Sequence, residues 1–524
     1  MTLQFKDRRE IPADTAALGQ KLLDKNNPYR LIGERLPDLI QDEDFREMFS
    51  SIGGPAISPA ILALVTIFQM LEKLPDRLAA AAVALRIDWK YALHLPLDYS
   101  GFHPTNLEHF RQRLVAHHAE YLVFDGLLHK LVDLGLVRRR SNQRTDSSHV
   151  LGLVAKLSRL EVVWETLRLS LEAVRQLDER GLERVVPEAF LQRYLVKRSD
   201  YTLPEQQIAV ELRQAGADGW WWLQQLDAGP AEWRQMPETD MLRTVWEQQF
   251  ELEDDGDYRG PRTKLESHGL VINPHEPEAR FRRKRDKGWL GYMAQVTETA
   301  EAKGDPNFIT DVGLTDAQAD DRAALPAIQE RLTGRGLSPA NEIVDQNYMS
   351  GASLAGSRER GVELIGEFQA QWGPEGFRQD DFQVDLLQGK ATCPAGQTSV
   401  KMLHLERPHG VEYEFRFGKV CLACSFRSQC TKAKEGRTLT YAEHHPVVQQ
   451  RRAEMLTEAF KKLMALRPPI EGTISQLMRQ GARRARYRGL QSVTLQLAFE
   501  AVAVNLRRLC HWWAAGKRPS WVTG

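Results

Sequence analysis

Along the first 140 positions, apolar residues return every three or four places. In "SPAILALVTIFQMLEKL" (58–74) a Ser-Pro pair opens such a run, and "PDRLAAAAVALRIDWKYAL" and "PTNLEHFRQRLVAHHAEYLVFDGLLHKLVDLGL" continue it. The pattern predicts an all-helical N-terminal domain over 1–140. Short helices ending in an arginine-bearing segment suit a DNA-binding helix-turn-helix module and a plain bundle equally. Beyond the polar stretch "RTDSSHV" (144–150), Leu160, Trp164, Leu167, Leu171 and Val174 form one helical stripe, and helical character continues to about residue 250. The tryptophans of "GWWWLQQL" (219–226) offer surfaces on which bases could stack. Adjacent residues face different sides of a helix, which favours core or interdomain packing for some of them.

At residue 288 the period changes. Leu290, Tyr292, Ala294 and Val296 alternate with smaller or polar residues, a strand signature. "NFITDVGLT" (307–315) reads as a second strand, "DDRAALPAIQERLTGRG" as a helix, and "NEIVDQNYMS" (341–350) as a short apolar strand that stops at Asp345. A helix ("ASLAGSRERG") and another strand ("VELIGEF") follow. Strand, strand, helix, strand, helix, strand is the order of a mixed α/β domain.

Composition adds little: 27% charged and 42% apolar residues, with 70 basic and 70 acidic side chains in 524. No run of eighteen apolar residues appears and "MTLQFKDRREIPAD" has no signal-peptide core, so a soluble cytoplasmic protein with no membrane partner is expected. Zero net charge gives no global case for nucleic acid, so any case rests on local clusters. "VRRRSNQR" (137–144), "RFRRKRDKGW" (280–289) and "RRARYR" (483–488) are basic; "QDEDF" (41–45) and "ELEDDGD" (251–257) are acidic. Each basic run alone is as well read as a solvated surface.

Three carboxylates stand out. Asp345 ends a buried-type strand, where open α/β sheets place ligands, although a helix N-cap is the plainer role. Glu471 sits in the first turns of a helix whose apolar face is Ile470, Ile474, Leu477 and Met478, with "RPP" before it. At the margin of that stripe and facing the sheet it could hold a metal, or simply favour the helix N-terminus. Asp146 lies among Thr145, Ser147, Ser148 and His149 and could equally be a cap; a single histidine such as His149 is more often an ordinary residue than a ligand. Phosphoryl transfer asks for divalent cations held by carboxylates drawn from separate elements, with Lys and Arg around them for phosphate. The single acid at the head of "EGTISQLMRQGARRARYRGL" fits that demand.

The motifs "IDWKYALHLPLDYSGFHPTNLEHFRQRL", "RTDSSHVLGLVAKLSRLEVVWETLR", "RKRDKGWLGYMAQVTET", "IVDQNYMS", "CPAGQTSV" and "EGTISQLMRQGARRARYRGL" together resemble bacterial insertion-sequence transposases of the DDE class, in the family numbered eleven-eighty-two. The resemblance spans nearly the whole chain. It implies an RNase H-like core over 141–515, interrupted by a helical insert (151–275) and a Cys-rich insert (375–440), with a short tail at 516–524. The catalytic triad would be Asp146, Asp345 and Glu471, holding Mg²⁺ or Mn²⁺. Arg282, Arg283, Lys284, Arg285, Arg479, Arg483, Arg484, Arg486 and Arg488 would grip DNA. The partners would be double-stranded DNA, as terminal inverted repeats and as target, with a homodimer or larger assembly on DNA, in the bacterial cytoplasm at the nucleoid. Where the family commonly has Asp-Ala-Gly-Tyr, this chain has Asp345-Gln346-Asn347-Tyr348, which removes backbone freedom beside the metal. The first motif often has Thr at the place of Ser148. Two other readings use the same residues: a transposase-derived DNA-binding protein without catalysis, and a metal-dependent nuclease without strand transfer.

Four of the five cysteines, Cys393, Cys421, Cys424 and Cys430, fall in the second insert. A Cys-x2-Cys pair with two further cysteines suits a tetrahedral structural Zn²⁺; an iron–sulfur cluster has less support, and unliganded thiols are the plain alternative. Cys510, in "TLQLAFEAVAVNLRRLCHWW", reads as core.

Overall fold

The computed structural model describes residues 2–3, 10–195, 203–253, 257–284, 286–369, 373–407 and 410–522. Helices fill the N-terminal third, among them Pro28–Arg35, Pro59–Glu72 and Thr105–Ala116. Ser58 caps the second by accepting from the Ile61 amide, with Pro59 at the first helical position, as the Ser-Pro pair predicted.

The sheet begins with β1 (Asn142–Leu151), which the sequence scarcely announced. A hairpin, β2 (Phe250–Leu252) and β3 (Tyr258–Pro261), closes the helical insert. Then come β4 (Arg280–Lys284), β5 (Lys287–Thr299), β6 (Ile309–Asp316), β7 (Asn341–Val344) and β8 (Glu363–Ile365). Strand β1 lies antiparallel to β5 on one side and parallel to β7 on the other; β8 runs parallel beyond β7. The far side of β5 is shared by β4, along its start, and β6, along the rest. The result is the mixed sheet read from the sequence, with two strands added: β1, and β4 inside the basic run.

β1 lacks apolar alternation because a polar ladder holds its buried stretch. The Thr145 hydroxyl donates to Glu342 Oε1 at 2.7 Å and shares a hydrogen bond of 2.8 Å with the Thr297 hydroxyl. Gln143 donates to the Leu337 carbonyl at 2.7 Å and accepts from Thr310 at 2.6 Å. Every member is paired, so burial is tolerated. At the crossing of β1 and β5, Gly291 (φ +149°) comes so close that a Cβ would lie 2.2 Å from the Val150 carbonyl oxygen.

One apolar cluster joins the N-terminal helices, the face of β5 and β6, and the helix Leu490–Ala514. The helical insert has a separate core built on the stripe Leu160, Trp164, Leu167, Leu171 and Val174. Its tryptophans pack there: Trp222 is buried and donates to Ser170 Oγ at 3.0 Å, while Trp220 and Trp221 are half-buried against the same cluster. A third lobe carries β9 (Gln383–Asp385), β10 (Lys390–Thr392), β11 (Lys401–Arg407), β12 (Gly410–Arg416) and β13 (Thr438–Ala442) around Phe382, Phe415 and Phe417. No helix among the described residues is long and apolar enough to cross a membrane.

Candidate active site

Strand register brings the two aspartates together. β1 and β7 are parallel, with Arg144 opposite Ile343 and Thr145 opposite Val344. Asp146 and Asp345 are each the next residue, so they stand side by side on one face, Asp146 midway along β1 where its pairing with β7 stops and Asp345 just past the C-terminal end of β7. Asp345 Oδ1 accepts from the Gln346 amide at 2.6 Å, capping the short 3₁₀ turn Gln346–Tyr348. Asp146 Oδ1 accepts from the Ser147 amide at 2.8 Å. Burial pushes the Asp146 carboxyl above the usual carboxylate range, and the charges of Asp345 and Asp321 push the same way; the Ser147 amide and Arg467 oppose them.

Glu471 comes from the first turn of the helix Pro469–Leu477. A buried ionic cluster fixes that helix over the sheet. Glu298 of β5 accepts from Arg144 Nε at 2.8 Å, from the Thr473 hydroxyl at 2.6 Å and from Arg508 Nη1 at 2.9 Å, while Arg144 Nη1 reaches the Leu466 carbonyl at 2.7 Å. Ile470, Ile474, Leu477 and Met478 are buried beneath it, as their spacing predicted. The Glu471 side chain itself is 72% exposed, well clear of the stripe it borders.

The three carboxylates meet at one cation that sequence reasoning passed over. Arg467 Nη2 lies 3.0 Å from Asp146 Oδ2 and 3.8 Å from Asp345 Oδ2, and its Nη1 lies 3.8 Å from Glu471 Oε1. In the sequence, "RPP" signals only a helix start. Arg467 stands just before the helix, four residues from Glu471, and that spacing alone does not mark it as a partner of two distant aspartates.

Beside this cluster opens a cleft of about 990 Å³, lined among others by Asp146, His149, Arg282, Lys284, Lys287, Trp289 and Asp345. The rings of His149 and Trp289 lie 5.2 Å apart at its wall. Arg282 donates to the carbonyls of Ala317 and Ala319 at 3.0 and 3.3 Å; Arg283 and Lys284 are exposed on β4; Arg285 lies outside the described residues. The run after Glu471 divides. Backbone bonds tie Leu151, at the end of β1, to Arg483 and Ala485, and the Arg483 side chain donates to the His149 carbonyl at 2.6 Å. Arg486 turns inward and donates to the Leu74 carbonyl at 3.0 Å, so it anchors the N-terminal helices rather than facing solvent. Arg479, Arg484 and Arg488 are exposed.

Cys393, Cys421, Cys424 and Cys430 line one small pocket of about 20 Å³ with Phe377, Phe382 and Phe417. The Gln397 amide donates to Cys393 Sγ at 3.2 Å and the Arg437 amide to Cys421 Sγ at 3.4 Å. Burial, together with the three other thiols, pushes the Cys430 thiol up, against the pull of Arg437. Cys510 is buried, as expected. Among the described residues, no group of three or more His, Cys, Asp or Glu side chains is already set to hold a metal ion.

Comparison with known families bears on both ends of the chain. Residues 18–113 match a transposase domain (DUF772), and residues 392–510 match a transposase DDE domain. Both matches are to domains described as transposase domains. DNA is the partner such domains imply, and the DDE match points to a DNA-modifying enzyme. The DDE match covers Glu471, the arginine run and all four clustered cysteines; Asp146 and Asp345 lie before it. No curated protein matches the chain.

Proposed function

We propose that this chain is a DDE transposase that binds the ends of its element, cleaves phosphodiester bonds with divalent metal and joins the freed 3′ hydroxyls to target DNA. The numbered insertion-sequence family belongs to the same reading, on the motifs quoted above. The strand order β6-β5-β1-β7-β8, in which β5 alone runs antiparallel to the other four, supports an RNase H-like core. The observation that carries the proposal is the convergence of Asp146, Asp345 and Glu471, from the middle of one strand, the end of its neighbour and a helix, on one cationic position.

The donor set suits Mg²⁺ or Mn²⁺: oxygen only, three carboxylates, and an excess of negative charge that one guanidinium leaves uncancelled. Bound there, such an ion would lower the pKa of an attacking water and neutralise charge on the transferring phosphate. The chain's own work is placement. The β1–β7 register fixes the aspartates, and the Glu298 cluster fixes the helix that carries Glu471. Lys284, Lys287, Arg479, Arg484 and Arg488 are exposed or line the cleft, where they would contact phosphates. Arg282 holds carbonyls in the cleft wall, Arg483 holds the carbonyl of the cleft residue His149, and Arg486 serves the fold. In the third lobe we propose a structural Zn²⁺ on Cys393, Cys421, Cys424 and Cys430, supported by the shared pocket and the two amide-to-sulfur bonds.

Incubation with Mn²⁺ or Mg²⁺ and labelled DNA carrying the element's end tests the main reading. Asp146→Asn, Asp345→Ala and Glu471→Ala should each lower cleavage at least about 100-fold while duplex binding persists. Binding without cleavage by the unaltered chain would favour a DNA-binding protein without catalysis. Cleavage without joined products would favour a nuclease.

A further inference from the structure

We propose that Arg467 is the resident counter-cation of the carboxylate site and that it couples DNA binding to metal binding: duplex phosphate draws the guanidinium away from Asp146, Asp345 and Glu471, and a divalent cation takes its place. The inference rests on the DNA-processing reading above and adds to it a linkage between the two ligands.

The quality of the contacts distinguishes this arginine from the fixed ones. Arg331 holds Asp311 through two hydrogen bonds of 2.8 and 2.7 Å. Arg144 uses Nε, Nη1 and Nη2 on Glu298 and the Leu466 carbonyl. Arg467 makes one hydrogen bond to its three acids, at 3.0 Å; the other two approaches, at 3.8 Å, are too long to be hydrogen bonds. Its Nε is buried without a hydrogen-bond partner among the described residues. A buried donor left unsatisfied costs free energy that a better-placed acceptor would recover. Three carboxylates against one guanidinium also leave a formal excess of two negative charges, which a divalent ion would cancel more fully.

The path out is short. Arg467 precedes Pro468 and Pro469, whose fixed φ keeps the backbone in place, so the side chain would move and the helix would stay. The cleft beside it is lined by Lys284 and Lys287, which would bring a phosphate close. Planar guanidinium groups bind phosphate in a fork geometry. Linkage then runs both ways: what DNA does to metal affinity, metal does to DNA affinity.

The test titrates Mn²⁺ into the full chain, reading free Mn²⁺ by electron paramagnetic resonance, with and without a duplex carrying the element's end. An Asp345→Ala variant subtracts unrelated sites. In the unaltered chain the duplex should tighten Mn²⁺ binding about tenfold, within the usual range of coupling. Arg467→Ala and Arg467→Met should bind Mn²⁺ tightly without DNA and respond to duplex by less than about twofold. Melting curves for both variants establish that they are folded, and Arg467→Met retains the aliphatic arm. Folded variants that bind Mn²⁺ no tighter than the unaltered chain without DNA would overturn the proposal. So would variants that keep the full duplex effect. Failure of the unaltered chain to bind duplex would instead sink the DNA-processing reading, and the DNA-free comparison would still judge the counter-cation.

Discussion

Glu500 shows what a single misplaced charge does in this molecule. It lies buried on the helix Leu490–Ala514 and faces Gly481, where a Cβ would come within 2.1 Å of its Oε1; its Oε2 has no hydrogen-bond partner among the described residues. Burial pushes its carboxyl up to about 8, and the charges of Arg486, Lys73 and Arg507 only partly offset that. The unfolded chain holds this group near its ordinary value of 4.5. Between those two values the folded chain binds the extra proton, so stability falls as pH rises through the window, by up to about 1.4 kcal/mol per pH unit. Glu500→Gln should remove that slope and raise the melting temperature at pH 8 relative to the unaltered chain, with little change near pH 5. Parallel melting curves for the two proteins across pH 5–8 would refute the assignment. Legibility at this scale was uneven. Asp345 and Glu471 could be found from strand and helix patterns, because each sits at a boundary that periodicity marks. Arg467 could not, since nothing local in "ALRPPIEG" reveals three acids arriving from elsewhere.

At the scale of elements, apolar alternation and turn residues announced β5 to β8 because those strands bury hydrocarbon. β1 was scarcely legible because three of its four buried positions are Gln143, Arg144 and Thr145, satisfied by partners distant in sequence, and only Val150 is apolar. β4 escaped because a basic run reads as surface, and its pairing with β5 appears only when the hairpin closes. The third lobe is the element whose stability the sequence leaves most open. Its apolar cluster is small, built on Phe382, Ala391, Phe415, Phe417, Leu439 and Tyr441, and three of its cysteines pack against that cluster. So small a core ordinarily needs a cross-link or a metal. Metal analysis of the purified chain should find one zinc, and Cys421→Ser should lose it and make β9–β13 sensitive to proteolysis. An iron–sulfur absorbance, or four thiols that all react with a disulfide reagent in the native protein, would count against zinc.

For the molecule as a whole, the N-terminal helices read as a separate module, yet their packing makes them part of one body with the sheet. Ile61, Val65 and Phe68 share an apolar cluster with Val502, Leu506 and Val312. Three polar ties from the C-terminal segments end on one helix and the turn after it: Gln480 donates to the Met70 carbonyl, Arg507 to that of Leu71 and Arg486 to that of Leu74. On its other side, the helix Leu490–Ala514 is locked to β6 by Asn505, which exchanges hydrogen bonds of 2.9 and 2.8 Å with the backbone of Ile309. That helix is therefore a wall common to both halves, hydrophobic nearly all round, and neither half covers it alone. A chain beginning at residue 141 would expose one entire side of it, beyond what a soluble surface tolerates. Such a chain should bind the dye ANS, lose its near-ultraviolet circular dichroism and aggregate, while the helical insert, with a core of its own, keeps far-ultraviolet helical signal. If it were instead soluble with a native near-ultraviolet spectrum, the shared core would not be needed for the fold. The N-terminal helices would then be a detachable module, as their sequence pattern suggested.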